Sequence, residues 1–247
     1  VTRRRARAVA VVLGSALTAW NNAVVPRLPH STRAYVAANG AATGVLLAAG
    51  RALGATWADL GLSPRHLSAG LRAGGPPSVL LAAGWSAAVT LPGVRPLVAD
   101  ARIAGLGTRE VAAQVLLRIP LGTVLWEEVA FRGVLPAALR AATSPRAATA
   151  ANAVLFGLWH VRPTLAALDA NGLAGRRAAR AAAVLGACGA TAATDLLFGR
   201  LRRGSGSLLA PALVHLTANG LGTLAAAAAH RLGRPAAAAG RRRGTGL

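Results

Sequence analysis

The chain lacks most of what a soluble surface is made from. No lysine occurs in 247 residues, methionine is absent, and there are seven acidic side chains, three glutamates and four aspartates. Charged residues make up only 14%, too few to describe a solvated globular domain. Cysteine occurs once, at Cys188, which excludes an intramolecular disulfide and any zinc site built on cysteines. Lying in an apolar stretch, it reads as a buried small side chain. Aromatics make up only 4% of the residues and no basic face is interleaved with them, so the net charge of +21 does not point to nucleic acid.

What is present is apolar: 54% of the residues, with a mean hydropathy of +0.47. All 28 basic residues are arginine, and alanine and glycine are plentiful, the pattern of a GC-rich, bacterial coding sequence. Stretches close to the ~20 residues a spanning helix needs occur at 8–25, 35–53, 78–98, 112–135, 147–161, 180–199 and 206–229. The fifth is short, and residues 163–175 either extend it or form a separate re-entrant piece. These predict an all-α, polytopic transmembrane bundle of about seven spans, six to eight, forming a single integral membrane domain. The first stretch reads as a retained helix rather than a cleaved signal.

Arg3, Arg4, Arg5 and Arg7 place the N-terminus in the cytoplasm, in a bacterial cytoplasmic membrane. The arginines between spans suit loops and anionic headgroups of the lipid bilayer. Arg241, Arg242 and Arg243 argue for a cytoplasmic C-terminus too, which needs an even number of spans where the count is odd. Gly70–Pro77 reads as a connector. The polar segment 54–77 suits an interfacial helix with Trp57 at headgroup level.

The chemistry concentrates in few residues. Glu127 and Glu128 stand side by side in an apolar span, where one carboxylate costs roughly 2.5–3.5 kcal/mol on insertion scales. Glu128 and Arg132 share a helix face and form an ion pair, either a structural clamp or part of a site. Glu127, rotated by about 100°, is the freer acid and suits a general base. His160 shares a face with Phe156 at a four-residue spacing, and His215 with Asn219. His30, His66 and His230 read as surface or interfacial residues without partners. Two histidines, an amide and two carboxylates on three spans have the makings of a water-activating pocket.

The ordered set Glu-Glu-x-x-x-Arg (127, 128, 132), Phe-x-x-x-His (156, 160) and His-x-x-x-Asn (215, 219) resembles the CPBP intramembrane proteases. These include the CAAX-processing endopeptidases of the Rce1 type and the bacterial Abi and bacteriocin-immunity relatives. The resemblance divides the chain into N-terminal helices (1–109), a catalytic core (110–224) and an Ala/Arg-rich tail (225–247). It implies hydrolysis of a membrane-embedded or lipidated peptide. By analogy Glu127 and His160 hold and activate water, and His215 and Asn219 stabilise the oxyanion. Glu128, paired with Arg132, orients the site, and Phe156 supports it.

A set of Glu127, His160 and His215, drawn from three helices, also suits Zn2+ or another divalent metal. Glutamate-activated water is the favoured reading. The alternatives are a non-enzymatic immunity or chaperone-like protein of the same family and, ranked lower, a proton-coupled transporter.

Overall fold

The computed structural model describes residues 3–173 and 175–233. Among them there is no strand, and eight helices carry the chain. They are α1 (Arg3–Arg27), α2 (Thr32–Ala52), α3 (Leu67–Thr90), α4 (108–142), α5 (Pro145–Trp159), α6 (Val161–Ala170), α7 (Arg177–Ser205) and α8 (Leu209–Leu232). Three of them, α1, α7 and α8, are long and apolar enough to cross a membrane. Polarity is inverted relative to a soluble protein. Val11, Val45, Leu80, Leu116 and Leu185 point outwards, whereas Asn39, Glu127, Glu128, Arg132, Asn152, Asp195 and His215 are buried. Lipid as the outer solvent accounts for that arrangement.

Local signals start and stop the helices. Ser31 caps α2 by accepting from Ala34 N–H, and Ser144 caps α5 in the same way, with Pro145 as first residue. Gly206 closes α7 with a left-handed φ of 69°, turning the chain straight into α8. Each of the seven apolar stretches falls on a helix, and α6 is a separate piece beyond the fifth.

The third stretch is shifted from 78–98. Leu91 is extended before Pro92, which ends α3 at Thr90. Its start reaches back through Pro76 and Pro77, because α8 holds the segment taken for a connector. A Cβ on Gly74 would stand 2.4 Å from Ala210 O, so the two backbones touch. Gly74→Ala is expected to destabilise the fold by about 1–3 kcal/mol through overpacking. An unchanged thermal midpoint of the purified protein would contradict that contact. No interfacial helix forms at 54–63: these residues make turns around the fully buried Leu60, and Trp57 sits 5.2 Å from the Arg51 guanidinium.

Contacts at the helix ends fix the threading. At one end Ala6 of α1, Gly50 of α2, Leu60 and Ala138 of α4 line a cavity of about 360 Å3 that Asp59 and Arg140 also border, and His66 Nδ1 donates to Gly206 O at 3.1 Å. At the other, His230 Nε2 donates to Asp100 O at 2.8 Å and Arg231 reaches Thr108. His66 and His230 therefore have partners, contrary to the expectation from sequence. The start of α1 lies at one end of the bundle and the end of α8 at the other. Arg241, Arg242 and Arg243 lie outside the described residues. The alanine-rich stretch after 224 begins as helix, with Ala225, Ala226, Ala227 and Ala229 buried.

Asp100 ties this second end together. It caps residues 101–104, pairs with Arg102 at 2.5 Å and accepts from Asn171 Nδ2 at 3.2 Å. Burial alone would raise its carboxyl, but the bonds from Arg102 and Asn171 outweigh burial and lower it to about 2. A lowered carboxyl stabilises the fold fully above its unfolded value and loses that contribution as pH falls through the folded one. Melting temperature should therefore acquire an acid-dependent drop between about pH 4 and 2, small because the pair is half exposed. Asp100→Asn should remove that component, and an identical pH slope in the variant would contradict the assignment.

Candidate active site

α4 is the central helix, and Trp126 to Leu135 form an uninterrupted buried run. It is not regular. Around Pro120 it widens to i→i+5 hydrogen bonding over Gln114–Val124, returns to α over Leu125–Glu128, and widens again over Val129–Val134. Such turns are frequent at functional sites. The first is braced from α2, where Asn39, fully buried, donates to Gly122 O at 2.8 Å and accepts from Trp20 Nε1 at 2.8 Å. The two glutamates sit on the four-residue α turn between the widened segments.

The glutamates have different surroundings. Glu127 Oε1 accepts from Trp159 Nε1 at 3.0 Å, while its Oε2 is buried without a hydrogen-bond partner, 3.7 Å from His215 Nε2. Glu128 Oε1 accepts from His215 Nδ1 at 2.8 Å and lies 3.4 Å from Arg132 Nη1. His215 Nδ1 thus carries hydrogen, since an ionised carboxylate only accepts. The closer ionic partner of Arg132 is Asp195, at 3.0 Å, and both side chains are buried. Asp195 in turn accepts from Asn152 Nδ2 at 3.0 and 2.9 Å. A cavity of about 30 Å3, room for about one water, opens beside Arg132, Asn152 and Asp195.

The structure brings Glu127, Glu128, Arg132 and His215 into one cluster. Phe156 joins it through its ring, which has the Arg132 guanidinium 4.2 Å from its centroid and the His160 ring at 4.7 Å. His160 is the single residue between α5 and α6, and its Nδ1 donates to Phe156 O at 2.8 Å. It makes no ion pair with either glutamate, although its neighbour Trp159 holds Glu127. Asn219 lies in a widened turn at Thr217–Leu221, half-buried, and its side-chain amide has no hydrogen-bond partner among the described residues.

Sequence reasoning missed three members. Asp195 carried the same signal as the glutamates, an acid in an apolar stretch. Asn152 lies one turn before Phe156. Trp159, a tryptophan inside the bundle, needs an acceptor for its indole N–H. Cys188 is half-buried on α7, outside the cluster.

A metal does not fit these donors as they stand. Both histidines have Nδ1 bonded and would meet a metal through Nε2, but His160 makes no pair with either carboxylate, and among the described residues no three His, Cys, Asp or Glu side chains are grouped for a metal.

No curated protein and no solved structure matches the chain. Residues 110–221 match the family described as type II CAAX prenyl endopeptidase, Rce1-like, and the match contains all seven residues of the three motifs. With the candidate spans, this makes the chain an integral membrane protein. Residues 110–221 are therefore an Rce1-like type II CAAX prenyl endopeptidase domain of the CPBP family, a family of proteases.

Proposed function

We propose that the chain is an intramembrane endopeptidase in which Glu127 activates water against a peptide carbonyl. The observation that carries this reading is the free Oε2 of Glu127, buried and facing His215 across 3.7 Å. A buried acceptor with no protein partner is a place for a water that donates to it. Glu127 takes a proton from that water, the water oxygen attacks the carbonyl carbon, and the proton passes to the leaving amine. His160 has Nδ1 tied to a carbonyl, so its neutral ring offers Nε2 as the second acceptor for the water.

His215 and Asn219 stabilise the oxyanion. With Nδ1–H given to Glu128, His215 turns Nε2 towards the free oxygen of Glu127 and donates to the oxyanion from there as the doubly protonated ring. Asn219 supplies an uncommitted amide. Glu128 orients His215, with Arg132 and Asp195 behind it.

The family name points to a prenylated protein as substrate, which would approach from the bilayer. In this reading α1–α5, α7 and α8 make seven crossings, α6 stops short, and the arginine-rich start of α1 faces the bacterial cytoplasm. The test is cleavage of a diverse peptide library, prenylated CAAX peptides included, by detergent-purified protein beside Glu127→Ala, each with and without a chelator. Cleavage lost in the variant and insensitive to the chelator is expected. Chelator-sensitive cleavage would overturn the metal-free mechanism. Cleavage by neither protein would favour the immunity-type reading.

A further inference from the structure

α5 ends and α6 begins around a single residue, the half-buried His160 (φ −92°, ψ 2°). A helix end leaves carbonyls without partners and a helix start leaves N–H groups, and in a membrane neither can be left to water. Here α1 meets them. Asn21 Nδ2 donates to Trp159 O at 2.7 Å, and Asn22 Nδ2 donates to Leu158 O at 3.0 Å and also to Thr18 O at 2.9 Å. Arg162 N–H donates to Asn22 Oδ1 at 2.8 Å. The bonds straddle His160, two on the carbonyls just before it and one on the N–H two residues after it.

Two adjacent residues of a regular α-helix point about 100° apart. α1 abandons regular geometry at this point and widens to i→i+5 bonding over Trp20–Val24, and both amides reach the same break. Asn21 is buried. An isolated satisfied asparagine would read as packing. Two neighbours on one break, the break being the position of a site histidine, form a clasp.

We propose that Asn21 and Asn22 are positioning residues for His160, so that α1, outside residues 110–221, completes the active site. The proposal rests on the reading of His160 as the partner of the attacking water. The His160 ring is held from two directions: Nδ1–H by Phe156 O one turn back, and the backbone on either side by α1. Pro163 keeps the break from closing into a regular helix, but without the clasp the angle between α5 and α6 is free to change. The ring then turns away with the helix, and Nε2 leaves the place where water is bound.

The test is histidine 15N NMR of the full chain in nanodiscs, with His160 assigned by its own substitution, beside steady-state cleavage. In wild type His160 should show one fixed Nδ1–H tautomer. In Asn21→Ala/Asn22→Ala the two ring nitrogens should average, and kcat should fall by about 10–100-fold with KM within about twofold, the signature of misplacement. Asn22→Asp keeps the acceptor for Arg162 N–H but loses the donor to Leu158 O, so a smaller change of the same kind is expected. It is also the deciding variant if the double one does not fold. A fixed tautomer in a folded variant, with kcat unchanged, would overturn the proposal. The NMR result stands even if no peptide is cleaved, in which case the proposed function fails and the clasp is judged alone.

Discussion

Glu127→Gln is expected to lower kcat by about 10²–10⁴-fold, the usual contribution of a positioned general base. The amide is nearly isosteric, and its oxygen can still accept from Trp159 Nε1, so the fold should survive. What disappears is the ability of the second oxygen to take a proton. The loss should therefore appear in kcat, with KM and melting temperature close to wild type. Glu128→Gln makes the contrast: it removes the charge beside His215 and Arg132 and should affect stability as well as rate. Steady-state kinetics on a cleaved peptide checks both, and a Glu127→Gln variant within about twofold of wild type would remove Glu127 from the chemistry.

The second large effect falls on stability. Arg132 is wholly buried and faces Glu128 at 3.4 Å and Asp195 at 3.0 Å, between the rings of Phe156 and Phe198. Arg132→Ala leaves two buried acids without their cation and a void between two aromatic rings. Breaking a buried pair by removing one partner costs about 3–5 kcal/mol. Unfolding of the purified variant should show a loss of that order, large against the marginal stability of most domains. A change under about 1 kcal/mol would mean that water reaches the pair. Asp195→Asn, which keeps its shape and removes one charge, should be milder.

The helices were legible because lipid-facing leucine and valine leave the same apolar run wherever a span lies. Their boundaries were less so, since packing decides them: Gly74 against Ala210 turns a Gly/Pro connector into helix, and Pro92 ends α3 early. The Glu128–Arg132 contact was readable from its four-residue spacing. That Arg132 lies closer to Asp195 was not, because the two are far apart in sequence and meet only when α7 packs against α4. Glu127 was expected to be the freer acid, and one of its oxygens is, but Trp159 holds the other. The asparagines of α1 and α2 gave no signal, since a short amide in an apolar stretch has no spacing rule of its own. Their meaning comes from the irregular backbone of α4 and α5 that they satisfy.

The central claim is that the glutamate performs the reaction rather than holding the substrate. The most direct measurement sets binding against cleavage: a prenylated peptide is titrated into nanodiscs holding wild type or Glu127→Gln, and its fate is followed by mass spectrometry. Equal affinity is expected, with two fragments from the wild type and intact peptide from the variant. Equal cleavage by both, or binding lost together with cleavage, would contradict it.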